Sequence, residues 1–138
     1  MNGSTTKAAT QFSGRVLMSV IFLTAGVSKI GAYAGTQAYM ESMGVPGAML
    51  PLVIALEVDA GLAVLPGWQT RVGAFPLAGF SVLSALIFHA DFGDQMQSIV
   101  FMKNLAMAGG LLMLVANGPG SWSVDARLQT PSRGLHYA

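Results

Sequence analysis

The chain has 138 residues, of which 53% are hydrophobic and only 9% charged, with a formal net charge of +1. Charged residues make up about a quarter of an average soluble domain, so this composition favours a single membrane domain. The 7 lysines and arginines are scattered singly, which excludes the basic patch typical of nucleic-acid binding. There is no cysteine, and the 2 histidines are too far apart in sequence to indicate a metal site.

Four apolar segments approach the ~20 residues with which a helix crosses a bilayer. They predict spans at about 12–33, 46–65, 71–89 and 97–116. Pro66 and Gly67 end the second segment, and a turn-rich stretch at 117–120 ends the fourth. We therefore expect an all-α, four-transmembrane-helix bundle over 12–120, preceded by a cytoplasmic segment at 1–11 and followed by a cytoplasmic tail at 121–138.

The first apolar run also has features of a signal peptide, since basic residues precede it and Ala32-Tyr33-Ala34 resembles a cleavage site. Lys29 interrupts the run just before that site, which favours a retained first helix. Residues 34–45 fit either a short amphipathic helix at the membrane interface or a loop.

The distribution of basic residues predicts the orientation. One side of the predicted topology holds Lys7, Arg15, Arg71, Arg127 and Arg133. Because cytoplasmic segments carry the excess of lysine and arginine, both termini are predicted to be cytoplasmic. Arg15, Trp68, Arg71 and Trp122 are expected to anchor the helices at the interfaces.

Ionisable residues inside the apolar segments are the candidates for a functional site, because charge within a bilayer is costly unless it is paired or faces water. Helical spacing places Lys29 on the face shared by Arg15, Phe22 and Gly26, and Lys103 on a face with small residues. Depth along the helices then predicts an outward-opening polar pocket. Its candidate residues for binding a ligand or protons are Lys29, Glu57, His89, Lys103 and Asn104.

Asp59 stands apart from this pocket, because two residues on an α-helix separate it from Glu57 by about 200°. It is a candidate contact to a partner subunit. Glu57 with a lysine fits either a structural ion pair or a ligand or proton site. His89 fits either an interfacial residue or a group that exchanges protons.

Two motifs at this spacing resemble the DoxX family of small bacterial four-helix membrane proteins. They are F-x-x-x-G-x-x-K over Phe22–Lys29 and K-N-x-A-x-x-G-G over Lys103–Gly110. The resemblance covers about residues 12–125 and implies a multi-pass protein of the bacterial inner membrane. The positions that match the family are Arg15, Gly26, Lys29, Glu57, Arg71, His89, Lys103 and Asn104. Asp59 falls outside the family pattern.

The same resemblance implies a redox association, because relatives include a subunit of an archaeal thiosulfate:quinone oxidoreductase. The first hypothesis is thus a quinone-linked subunit whose pocket holds a quinone, a lipid or a small anionic ligand. Its lysines would supply positive charge, and Glu57 and His89 would move protons. No self-contained catalytic motif and no intrinsic cofactor site is evident, so redox chemistry would need a bound quinone or a cofactor-bearing partner.

The rival hypothesis is a non-catalytic structural or assembly subunit of a larger membrane complex. The expected partners are the lipid bilayer and either other membrane or redox subunits or a second copy of the chain. A transporter is disfavoured, since no inverted repeat or broken helix is evident.

Overall fold

The computed structural model describes residues 2–130, and within them the chain is helical and forms no strand. Four helices are long and apolar enough to cross a membrane: the first span Gly3–Gly31, the second Gly47–Val64, the third Thr70–Phe88 and the fourth Gln95–Asn117. Two shorter helices are the connecting helix Tyr33–Ser42 and the C-terminal helix Val124–Gln129. The predicted all-α, four-span fold is confirmed. Arg133 and residues 131–138 of the predicted tail lie outside the described residues.

The first span begins at Gly3 rather than near residue 12. Asn2 caps it, because its side-chain oxygen accepts a hydrogen bond of 3.0 Å from the backbone N–H of Thr5. Residues 33–42 are a helix, which settles the choice between helix and loop left open for 34–45.

The second span is built from four short segments. A 3₁₀ turn at Gly47–Met49 leads into α-helix at Leu50–Ala55, a π-helical turn occupies Leu56–Ala60, and α-helix resumes at Gly61–Val64. A π turn inserts extra chain into the helix and often occurs at functional sites. Here it contains both acidic residues of the span, Glu57 and Asp59.

The core lies between the spans, and its largest contact is between the third and fourth. It consists of Phe22, Val64, Ala74, Leu77, Ala78, Ala108 and Leu111. Alanines recur in it because small residues allow helices in membranes to approach closely. We call the end that holds residues 65–70 and 117–125 the clasp end, and the end that holds residues 31–46 and 88–95 the cavity end.

Candidate functional site

A cavity of about 420 Å³ lies at the cavity end, between the spans and against the connecting helix. Most of its wall is apolar. Its polar lining residues are Lys29, Thr36, Tyr39, Glu57, Ser84, His89 and Asn104. Four of the five residues predicted to form a polar pocket thus border one cavity.

An ion pair forms the charged part of the wall. Nζ of Lys29 donates to both carboxylate oxygens of Glu57, at 3.0 and 2.9 Å. Glu57 is buried, while the Lys29 side chain keeps about a quarter of its surface exposed, at 27%. Because the two charges cancel, the pair presents a neutral, strongly polar surface to the cavity.

Gly26 allows this pair to form by bringing the first and second spans together. A Cβ atom at this position would lie 2.7 Å from Cγ2 of Val58 and 3.3 Å from Cβ of Glu57. A side chain at this position would have to displace the Val58 side chain and would crowd Cβ of Glu57. Gly26 lies one turn before Lys29 on the same buried face, as the helical spacing predicts.

Asn104 supplies an uncharged polar group to the cavity wall. Its side-chain nitrogen donates to the carbonyl of Val100 at 3.0 Å, while its side-chain oxygen accepts no hydrogen bond from the described residues. Among the described residues, every fully buried side-chain nitrogen or oxygen has a hydrogen-bond partner. Since this oxygen has none, it is accessible and not fully buried. Asn104 can therefore accept a hydrogen bond from a bound molecule.

His89 and the connecting helix border the cavity at the cavity end of the bundle. Nδ1 of His89 lies 2.7 Å from Oε1 of Gln97, so an N–H on Nδ1 donates to that amide. The Tyr39 ring packs on the Phe88 ring with centroids 5.5 Å apart, and its hydroxyl is 3.4 Å from the Phe88 carbonyl. The connecting helix is thereby held over the end of the third span.

The cavity also reaches the outer surface of the bundle. Its lining includes Ile21, Leu83 and Ile87, which are 46%, 57% and 39% exposed. In a membrane-spanning bundle, such apolar side chains face lipid. This side of the cavity therefore borders the lipid.

Lys103 does not belong to this site, and its predicted inward direction was wrong. It is exposed on the fourth span and does not line the cavity. The inward positions belong to Asn104, Ala108 and Leu111, which lie one, five and eight residues after Lys103. Since neighbouring residues on an α-helix differ by about 100°, burying Asn104 turns Lys103 outward.

Arg15 was predicted as an interfacial anchor, and this was also wrong, because the residue is buried at the clasp end and only 2% exposed. Its Nε donates to the carbonyl of Leu65 at 3.0 Å and Nη2 to that of Trp122 at 2.7 Å, while Nη1 donates to the carbonyl of Pro119. One guanidinium thus joins the first span to two loops.

Asp125 completes this structure from the C-terminal helix. Its carboxylate accepts the backbone N–H groups of Gln69 and Thr70, at 2.7 and 3.0 Å, and the Thr70 hydroxyl at 2.8 Å. It therefore caps the third span, in place of a side-chain cap from Gln69, which has a positive φ of 44°. Burial raises the pKa of Asp125, but the hydrogen bonds from Thr70 and Gln69 and the charge of Arg15 outweigh it, so the net pKa lies below its usual value.

We call Arg15, Asp125 and the loop carbonyls and N–H groups that they bind the clasp. Sequence reasoning missed it, because its hydrogen bonds join residues that lie 50 to 107 positions apart in the chain. The sequence does contain one indication of the C-terminal helix. Ser123 is a typical helix-capping residue, and the acidic Asp125 follows two positions later, in the first turn.

The remaining candidates lie on the surface. Asp59 is exposed and forms no hydrogen bond or ion pair within residues 2–130. Trp68 and Trp122 are half exposed, at 49% and 50%. Arg71 is exposed at the start of the third span, with its guanidinium beside Gly118. These positions are compatible with interfacial roles for Trp68, Arg71 and Trp122.

The fold defines an all-helical membrane protein with four spans, and these spans enclose a cavity at one end. The chain belongs to the DoxX family, whose model matches residues 10–90. It is 54% identical to the inner membrane protein YqjF of Escherichia coli K12 over 114 residues, which cover 83% of this chain and 88% of YqjF. It is 35% identical to the inner membrane protein YphA of the same organism over 120 residues, covering 82% and 86%.

A third relative is similar over a shorter stretch. "Putative oxidoreductase CatD" of Bacillus subtilis 168 is 34% identical over 58 residues, covering 42% of this chain and 43% of CatD. No solved structure shows a significant match. The two E. coli relatives and the four apolar helices identify the chain as a multi-pass protein of the inner membrane.

Proposed function

We propose that the protein is a membrane subunit of a redox system and that its cavity binds a quinone. The observation that carries this proposal is the apolar cavity, open to lipid and bordered by Lys29, Glu57 and Asn104. The oxidoreductase named in the relative CatD supports the redox association.

The donor set suits a quinone better than an anion. Lys29 is neutralised by Glu57 and Lys103 faces away, so no lysine among the described residues offers the cavity an unpaired positive charge. A neutral ring with oxygen substituents and an apolar chain matches a mostly apolar wall with a few polar groups. Nζ of Lys29 and the second N–H of the Asn104 side-chain amide, the one not bound to Val100, would donate to the ring oxygens. The chain would leave past Ile21 and Leu83 towards lipid.

The chain's own residues would manage protons at such a site. A quinone, when bound, supplies the electron-accepting chemistry that these side chains lack. The Glu57 carboxylate, in contact with the Lys29 ammonium, provides one place to hold a proton inside the bundle. His89 provides a second, near the outer limit of the cavity.

The rival function, a structural or assembly subunit, gains support from a separate observation. Asp59 is an exposed carboxylate in a membrane span with no partner among the described residues. In that function, Lys29 and Glu57 would serve only to hold the first two spans together. The two functions differ in whether the cavity takes a ligand.

Quinone binding to the purified protein in detergent tests the proposal. A short-chain benzoquinone should bind saturably by calorimetry, and Ala25→Phe, which fills the cavity, should abolish binding. Val27→Phe is the matched control, since Val27 is two residues away, 61% exposed and outside the cavity. Equal binding by both variants, or no saturable binding by the unchanged protein, would rule the proposal out.

A second pair of variants separates the polar contact from the space. Asn104→Leu and Asn117→Leu each remove a hydrogen bond from an asparagine amide to the carbonyl four residues earlier. Only Asn104 lines the cavity. Asn104→Leu should weaken quinone binding about tenfold, the equivalent of one hydrogen bond, while Asn117→Leu should leave it unchanged.

A further inference from the structure

A second groove lies on the outside of the bundle, between the second and third spans beside Asp59. Its volume is about 360 Å³. Small residues form much of its wall, namely Ala55, Ala60, Ala63 and Gly73. Small residues of this kind let another helix approach closely in a membrane.

Asp59 shows what kind of helix would fit. The π turn buries Glu57 and leaves Asp59 exposed, two residues later, on the opposite side of the span. A carboxylate that faces lipid is costly unless it pairs with a cation or reaches water. Within residues 2–130 no cation lies within ion-pair distance of it.

From this charge and this shape we infer that the groove docks a membrane-spanning helix of another protein, one that carries a lysine or arginine opposite Asp59. Asp59 lies five residues before Val64, which places the partner's cation ~8 Å from the clasp end of the span. The inference rests on the outer surface alone and does not depend on a ligand in the cavity.

A second copy of this chain is a poorer match for the groove. Arg15 and Lys29, two cations within the spans, are already bound inside the bundle. Lys103 is exposed, but it lies eight residues after Gln95, ~12 Å from the cavity end. A lysine there extends towards its nearer membrane surface, which is the surface remote from Asp59.

Arg71 does not supply the cation from a second copy either. It is the second residue of the third span, and its guanidinium lies beside Gly118, on the side of the fourth span. Binding Asp59 of another copy would require it to leave that position and move deeper into the bilayer.

Two other exposed cations in the described part of the chain, Lys7 and Arg127, lie beyond the clasp end. Lys7 is eight residues before Arg15 on the first helix, ~12 Å further out, and Arg127 is on the C-terminal helix. Neither lies at the depth of Asp59, so the charge complementarity favours a different protein.

Photo-crosslinking in the membranes of the native host tests this inference. A photoreactive amino acid replaces Val72, which lines the groove and is 69% exposed, or Leu112, which is 50% exposed on the fourth span. The Val72 position should crosslink to another membrane protein, and the crosslinked peptide should carry a lysine or arginine inside an apolar segment. The Leu112 position should not give this adduct.

Asp59 variants then test the charge. Asp59→Asn should lower the adduct yield at least about tenfold, because it leaves the partner's cation unpaired, while Asp59→Glu should retain the adduct. Asp59→Lys should also lose it, and an aspartate in place of the partner's cation should restore it. The unfolding temperature of Asp59→Asn should match that of the unchanged protein, since Asp59 forms no contact that holds the bundle together.

Several results would overturn the inference. They are an adduct with a second copy of this chain, a partner peptide without a cation, an adduct yield unaffected by Asp59→Asn, and the absence of any protein adduct at Val72. Each is distinguishable from a failure of the quinone proposal, which is measured on the purified protein with the cavity variants.

Discussion

The clasp end and the cavity end both bury charge, but they satisfy it in different ways. At the clasp end, Arg15 binds three backbone carbonyls, and Asp125 binds three donors from two residues. These charges are surrounded by the chain's own backbone. At the cavity end, Lys29 and Glu57 bind mainly each other and border a space that the chain does not fill.

This difference separates structure from function within one small bundle. A charge whose hydrogen bonds end on loops and helix termini of the same chain holds those segments together. Burying an ion pair costs free energy, because both charges lose their hydration. Replacing such a pair with well-packed apolar residues is often neutral or stabilising, so stability alone does not explain the pair at the cavity end. We therefore interpret the clasp as a structural element, and the cavity is the site that we propose for a ligand.

The largest expected effect comes from breaking the clasp. Arg15→Met leaves the carbonyls of Leu65, Pro119 and Trp122 without their charged donor, so the free energy of unfolding should fall by about 3 kcal/mol or more. Thermal and denaturant unfolding in detergent measure this loss. The control Arg71→Met removes an exposed arginine and should change little. Equal losses in the two variants would contradict a structural role particular to the clasp.

The ion pair at the cavity end should contribute less, because Lys29 keeps some exposure. Glu57→Gln should lower the free energy of unfolding by about 2 kcal/mol, since it leaves a partly buried lysine without its counter-charge. Adding Lys29→Met to that variant should recover part of the loss. Unfolding of the two single variants and the double variant gives the coupling. Strict additivity would show that the pair does not hold the two spans together.

Gly26 tests the close approach on which that pair depends. Gly26→Ala places a Cβ 2.7 Å from Val58 and should lower the free energy of unfolding by about 1–2 kcal/mol by forcing the spans apart. Gly14→Ala is the matched control on the same helix, because nothing lies within 4 Å of its Cβ. It should raise stability by about 0.5–1 kcal/mol through helix propensity. A stabilising Gly26→Ala would contradict the close packing.

The sequence predicts the spans and one face of the site well, for a physical reason. Four apolar segments of bilayer length leave few alternatives to four helices. In the first span, the regular spacing of Phe22, Gly26 and Lys29 places them on one face, because steps of three or four residues return to the same side of a helix, and this face packs inward. Glu57 was placed inside the bundle by the same reasoning, together with the small residues that follow it.

The predictions for Lys103 and Arg15 were wrong, because helical spacing gives little information at these two positions. Lys103 and Asn104 are adjacent in a span that is apolar on all sides, so the sequence does not say which of them packs inward. The burial of Arg15 depends on carbonyls in two loops distant in sequence, and loop geometry does not follow from composition. The π turn at Leu56–Ala60 has no sequence signal that we could identify.

The smallest expected effect lies at the edge of the clasp and depends on pH. Asp125→Asn should lower the free energy of unfolding by about 1 kcal/mol near pH 7, because a neutral amide replaces a carboxylate that accepts three hydrogen bonds. The pKa of Asp125 is lowered in the folded protein, so its contribution is present above the carboxyl's ordinary pKa of about 4 and is lost as the pH falls through the folded value. Unfolding temperatures of the two proteins should therefore differ at pH 7 and converge in acid.

Asp91→Asn, at an exposed loop carboxylate, is the control and should have the same unfolding temperature as the unchanged protein at each pH. A difference that persists or grows below the folded pKa would mean that Asp125 acts through its shape and not its charge.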